Sequence, residues 1–388
     1  MRLEQRRTHA PERGGAGWGK PRIGAHGGGF RFGLEAEYLL ADAETFRPLW
    51  HRDLAFAELD ALLGSIPVAD LPPVDGLVPL PPHRAVLPYV VEGYHLPDPY
   101  TDDPEMIPKG VEIRTPVCGA IEEAVAVLGE LHARLQRALA DRGYGAVALS
   151  HHPTEDRFEG PQGGRRFDTW RWAQEAMLTY GPDVNISLPP RLAARLDVAD
   201  LAAKVNFYAP ALTALSLASP LHRGEPWRIR GRVGKSLRTH RRGVVGQALE
   251  LHPEQAGRLE FKSFEMTHRL GDFHGYLLLW LAVLLDEGLA GRASDQSRVY
   301  DLGAVARDGL DAETASNRAA EVLGRAPAVL ASWGFDPNPL APFARRLETR
   351  RLPADEILEL YERERSIPAV LRHLATLIPA DVAVGSRQ

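Results

Sequence analysis

Polar and apolar positions alternate in short stretches over the first two thirds of the chain, and recur at helical spacing in the last third. Alternation predicts strands over 30–40, 85–94, 110–117, 144–153, 182–189 and 258–266. A helix is predicted over 121–140, because Ile121, Ala124, Val125, Leu128, Leu131, Leu135 and Leu139 recur at three and four and Gly143 follows. A second helix is predicted over 200–219, and a buried one runs to about Leu289. From Asp311 onward the pattern is helical over 311–326, 353–364 and 366–378; the segment at 353 opens on proline and acids, a helix-start signal. With no regular βαβ rhythm, the expected class is α+β: a sheet with helices on one face and a helical C-terminal third. The expected organisation is a disordered tail over 1–28, a core over 29–295, and a helical region over 296–388 of the same domain.

Composition narrows this little. The chain has 388 residues, 44% hydrophobic, enough for a substantial core. A net charge of −5 argues against a general nucleic-acid binder. The single cysteine, Cys118, excludes an internal disulfide and a cysteine zinc cluster, and reads as a small buried hydrophobe. Residues 1–28 are basic and glycine-rich without the apolar stretch of a secretory signal. The longest apolar run, Tyr276 to Leu285, is too short to span a membrane. A cytoplasmic location without membrane contact is therefore expected. The proline- and acid-rich stretch 66–108 reads as loops around a short strand and is a candidate lid.

Candidate chemistry changes the picture. Four predicted strands carry polar residues at i and i+2: Glu35 and Glu37, Glu112 and Arg114, Asp183 and Asn185, Glu260 and Lys262. Positions i and i+2 share a strand face, so on one sheet these pairs would build an acidic floor edged by cations. One such pair alone reads as a solvated sheet face. Together, and with Leu34, Ala36 and Phe32 around the first pair, they suit a hard divalent ion such as Mg²⁺ or Mn²⁺. The segment 222–242 holds Arg223, Arg228, Arg230, Arg232, Lys235, Arg238, Arg241 and Arg242 against one acid, Glu225. It reads as a solvated surface, a nucleic-acid patch or a polyphosphate clamp. Its "GRVGKS" is not a P-loop, because the motif requires glycine where Ile229 stands. His151 and His152 end a strand, and a histidine pair there is more often structural.

In this order, these residues resemble the glutamate–cysteine ligase family in its carboxylate–amine ligase branch, related in fold to glutamine synthetase. The carriers are "GLEAE" (33–37), "GVEIRTPVC" with Glu112, "HHP" (151–153), "ASP" (218–220), "SLR" ending at Arg238, and "LEFK" with Glu260 and Lys262. The resemblance spans roughly residues 30–290. It implies a glutamine synthetase-like antiparallel sheet lining the active site, and an ATP- and Mg²⁺-dependent ligase joining an amino acid to an amine through an acyl phosphate. It also implies roles. Glu35, Glu37, Glu112, Asp183 and Glu260 would hold metal, with Glu35, Glu260 and Arg238 catalytic. Arg238, Lys262 and Asn185 would contact ATP, and Arg114 and His152 the substrate. The chain departs from the family at Asp183 and Asn185, which replace two histidines, and at Lys262, which replaces an arginine. Pro108 stands where many members have an acid, leaving Glu105 to substitute. A nucleotide- or amino-acid-binding member without turnover, and a metal-dependent hydrolase, are the alternatives. Small-molecule substrates are expected, with no nucleic-acid partner.

Overall fold

The computed structural model describes residues 29–71, 88–95, 106–160, 162 and 167–379. The tail 1–28, most of the candidate lid and Glu105 lie outside the described residues. The strands are β1 (Arg31–Asp42), β2 (Tyr89–His95), β3 (Met106–Arg114), β4 (Tyr144–Val147) and β5 (Pro182–Ser187). Two small hairpins follow, β6 (Leu221–His222) with β7 (Glu225–Pro226) and β8 (Arg228–Ile229) with β9 (Arg232–Val233), then β10 (Leu249–His252) and β11 (Arg258–Phe261). Seven form one sheet in the order β10-β11-β5-β1-β3-β2, with β4 extending the β5 side of β1. Every pairing is antiparallel.

β1 is central because it is long enough to pair β3 on one edge and both β5 and β4 on the other. Its even positions Phe32, Leu34, Ala36 and Tyr38 are buried, while Glu35 and Glu37 keep partial access to the opposite face. The buried face packs on α2 (Ile121–Ala140), whose seven expected apolar positions are all buried. Beside α2, against β5 and β11, lies α7 (Leu270–Leu285), where every residue from Tyr276 to Val283 is buried. A helix apolar on all sides belongs inside a fold, not on its surface. Truncating a fully buried leucine such as Leu128 or Leu135 to alanine costs about 2–5 kcal/mol.

The remaining helices are α1 (Phe56–Gly64), α3 (Phe167–Ala176), α4 (Pro190–Ala193), α5 (Val198–Ala214), α6 (Leu237–Val245), α8 (Asp295–Asp308), α9 (Glu313–Ser332), α10 (Ala341–Thr349), α11 (Pro353–Glu364) and α12 (Ile367–Leu374). Asp197 caps α5 by accepting from the amides of Ala199 and Asp200. Several elements differ from the sequence reading. Strand β11 stops at Phe261, not at 266. Strand β4 stops at Val147, and the arginine-rich segment folds into two hairpins and α6. The C-terminal helices share the core of the sheet: Leu330, Phe343 and Leu371 sit in the same hydrophobic cluster as Phe32 and Leu128. Among the described residues no helix is long and apolar enough to cross a membrane.

Candidate active site

Strand register decides which side chains meet. Glu35 lies opposite Arg114 on one side and Asp183 on the other; Glu37 lies opposite Glu112. Asn185 lies opposite both Gly33 and Glu260, and Glu260 opposite Glu250. Directly opposed residues of antiparallel strands share a face. Glu35, Glu37, Glu112, Arg114, Asp183, Asn185 and Glu260 therefore stand on one face, with Lys262 beside them. Two carboxylates sit in the apolar run of β1 because one face of that strand is core and the other is this floor.

Each acid of the floor has a cation from the chain itself. Arg114 donates to Glu112 at 2.7 Å and stands 3.6 Å from Glu35. Arg258 Nη1 donates to Glu35 at 3.2 Å, Asn185 at 2.6 Å and Glu260 at 2.9 Å. Lys262 donates to Asp183 at 2.8 Å and contacts Glu260. Lys109, buried beneath, meets Glu37 at 3.1 Å. Burial, then the charge of Arg114, work in opposite senses on Glu112, and burial wins, pushing it well above the carboxylate range. Burial would also raise Asp183, but Lys262 and the hydrogen bonds it receives hold it down to about 2. Burial and then the charge on Asp183 push Glu260 up to about 8.

The donor types suit a hard cation, and the five acids that the resemblance assigns to metal are here paired with cations of the chain itself. Glu35, Glu37, Glu112, Asp183 and Glu260 spend oxygens on Arg or Lys. Among the described residues, the group whose ligand atoms all lie within 4.8 Å of one another is Glu250, His252 and Glu260. Sequence reasoning missed Glu250 and His252 on β10, although "LELH" repeats the same i, i+2 signal. It also missed Arg258, two residues before Glu260 on the same face, and Lys109, a rare lysine inside a strand.

Two residues sit elsewhere than expected. His152 is fully buried against Trp50. Its Nε2 lies 3.2 Å from the Leu49 carbonyl, and its Nδ1 accepts from the amide of Glu155 at 3.0 Å, so both ring nitrogens are used by backbone. It is not a substrate contact in this arrangement. Arg238 is buried and donates to the carbonyls of Phe264 and Lys262 at 2.9 and 3.3 Å, under the floor rather than into it. The arginine-rich segment is in part the solvated surface expected of it, with Arg223, Arg228, Arg230 and Arg232 exposed, while Arg223, Arg232, Lys235 and Arg241 pair with Asp156, Asp308, Asp355 and Glu175. Arg242, half-buried, opens onto a narrow cleft shared with Lys262, Arg238 and Arg298.

"SLR" and "ASP" act together. Glu265, fully buried, accepts from the Ala218 amide at 2.6 Å, Ser219 at 2.9 Å and Thr239 at 2.7 Å, and contacts Ser236. This carboxylate fixes the start of α6, and with it Arg238 and Arg242. At the other end of the floor, Arg31, Arg114, Thr115, Asn185 and Arg258 line a cavity of about 480 Å³.

The sheet, its charged face and the helices behind it define a glutamine synthetase-like ligase fold. A bifunctional glutathione synthetase from Pasteurella multocida superposes with a TM-score of 0.59 at 16% identity, over 89% of this chain and 52% of that one. A glutamate–cysteine ligase from Francisella tularensis, in complex with AMP, gives 0.54 at 13% identity over 89% and 88%. A protein of Pseudomonas entomophila (strain L48), provisionally named glutamate–cysteine ligase 2, is 30% identical over 126 residues, covering 31% of this chain. The match spans about a third of that relative's own length, 32%. The model of glutamate–cysteine ligase family 2 matches residues 31–254, more than half of the sequence. The chain belongs to that family.

Proposed function

We propose that this chain is an ATP-dependent carboxylate–amine ligase that forms an amide, γ-glutamyl or similar, through an acyl phosphate. The observation that carries the reading is the charged floor itself, built by four antiparallel strands between a cation-lined cavity and a cationic cleft. A carboxylate does not acylate an amine at neutral pH, because oxide is a poor leaving group. Transfer of the γ-phosphoryl group of ATP to the carboxylate gives an acyl phosphate and ADP. The amine then attacks the acyl carbon, the carbon–oxygen bond to phosphate breaks, and the amine's proton leaves. The barrier is largely that of bringing two anions together, so positioning and fixed positive charge carry the catalysis. In this reading Arg114 and Arg258 hold the substrate carboxylate at the cavity, and Lys262 and Arg242 face the polyphosphate. Glu35, Asn185 and Glu260 orient Arg258. Any Mg²⁺ enters with ATP, as part of the substrate.

The test is ADP release from Mg·ATP with pooled amino acids and amines, in wild type and Glu35→Ala. Amino-acid-dependent release that disappears in the variant is the expected result. Nucleotide binding by a folded protein without any release would replace the ligase by a second reading, a binding member without turnover. That second reading is favoured by the Lys or Arg on each acid of the floor and by Asp183 and Asn185 in place of histidines. No binding of ATP at all would remove both.

A further inference from the structure

We infer that Arg258 stands in the place of a divalent ion between Glu35, Asn185 and Glu260, so that the chain supplies a permanent cation of its own there. The geometry is that of a bridging cation. A single nitrogen, Nη1, has three oxygens from three strands around it: Glu35 of β1 at 3.2 Å, Asn185 of β5 at 2.6 Å, and Glu260 of β11 at 2.9 Å. These are the strands from which the resemblance draws its metal ligands. A hard ion would use the same oxygens at shorter distances, so the guanidinium and the ion exclude each other.

The placement is built into the backbone. Hairpin β10–β11 turns through Ala256 and Gly257, both at positive φ, and Ala256 is an unusual residue to hold there. The Arg258 amide donates back to the Gln255 carbonyl at 3.2 Å, closing the turn. This puts Arg258 opposite Ser187 and two residues before Glu260, hence on the floor's face. The guanidinium is held from behind as well, since Nε donates to Gln255 Oε1 at 2.8 Å. A side chain fixed at four points is a positioned group, not a loose counter-ion.

Two consequences follow from charge and chemistry. Arginine brings one positive charge where a divalent ion brings two, and it neither dissociates nor exchanges ligands. The floor is therefore assembled without metal, and its divalent-ion capacity is smaller than the resemblance implies. The inference rests on reading this face as the ligand site proposed above. Metal binding needs no turnover, however, so an absent ADP release and an unchanged metal stoichiometry are separate failures.

The experiment is a titration of the full chain with Mn²⁺, following free ion by electron paramagnetic resonance, together with the melting temperature at each Mn²⁺ concentration. Wild type, Arg258→Met, Arg258→Lys and the double variant Arg258→Met/Glu260→Gln are compared. Arg258→Met is expected to gain one Mn²⁺ with at least tenfold higher affinity than wild type shows, and to be stabilised by Mn²⁺ where wild type is not. Arg258→Lys should behave as wild type, and the double variant should lose the gained ion. Equal stoichiometry and affinity in wild type and Arg258→Met overturn the inference. So does a wild type that already binds two or more Mn²⁺ ions removable by Glu35→Gln. Should Arg258→Met unfold without metal, Arg258→Gln takes its place, and refolding of Arg258→Met by Mn²⁺ counts as the gain.

Discussion

Lys109 and Glu37 form a pair 3.1 Å apart in which the lysine is buried and the glutamate reaches the floor. The same ammonium donates to the carbonyls of Ala176 and Thr179, which end α3 and lead into β5. Glu37 in turn accepts from the Gly181 amide at 2.8 Å. Lys109 thus ties β1, β3 and the approach to β5 through one charge.

Removing it takes the ammonium away from Glu37, from Glu92 at 3.7 Å and from two carbonyls. Breaking a buried pair from one side costs about 3–5 kcal/mol. Lys109→Met, which keeps the stem, is expected to lose stability in that range by urea unfolding at pH 7. Adding Glu37→Gln should return part of the loss, because the nearer of the two carboxylates that Lys109 meets is then neutral. A loss below about 1 kcal/mol for Lys109→Met would mean that the pair is solvated in solution, contrary to the structure.

His132 gives a prediction about pH. It sits on the buried face of α2, its ring 5.0 Å from that of Tyr38, and burial pushes it down to about 4. An unfolded histidine titrates near 6.5. Between those values the unfolded chain binds the extra proton, so stability rises with pH. The contribution is complete above 6.5 and is lost as pH falls through 4. His132→Phe keeps a ring and removes the titration. Relative to wild type, it should retain about 2 kcal/mol more of its pH 7 stability when both are measured at pH 5. His268, also pushed down to about 4 by burial, stays in both proteins and cancels in the difference. Parallel losses in the two proteins would show that His132 is hydrated.

Much of the floor was legible from local pattern alone. Glu35 and Glu37 shared a face because a strand has a period of two, and α2 was readable because seven apolar positions kept the helical spacing. Pairing partners were not legible. Nothing in "LELH" says that β10 lies beside β11, so Glu250 and His252 stayed hidden. Arg258 was visible as the next i−2 position from Glu260, yet its bonds to Glu35 and Asn185 depend on contacts between residues 223 and 73 positions apart. Arg238 and His152 were misplaced for a related reason. A motif gives a residue type and an order along the chain, but depth below the surface is set by what packs above it. For Arg238 that includes Gly181, whose missing side chain leaves room for the guanidinium.

That contact separates the roles of two neighbouring arginines. A Cβ at Gly181 would come within 2.2 Å of Arg238 Nη2. The guanidinium spends Nη1 and Nη2 on two carbonyls of the segment after β11, its buried Nε has no partner, and burial lowers its affinity for a proton to a pKa of about 10. Arg242, one helical turn later, faces the cleft with Lys262. Arg238→Ala should therefore cost roughly 3 kcal/mol of stability, through two lost charge-assisted bonds, and Gly181→Ala should reproduce part of that loss by displacing the same group. Arg242→Ala should leave the urea midpoint nearly unchanged and weaken binding of a nucleoside triphosphate about tenfold by calorimetry, the effect expected of one charge-assisted contact to phosphate. The assignment fails if the two phenotypes exchange, with Arg238→Ala fully stable but blind to nucleotide. In that event the guanidinium must leave its carbonyls when ATP arrives, and the cleft must open further than the structure shows.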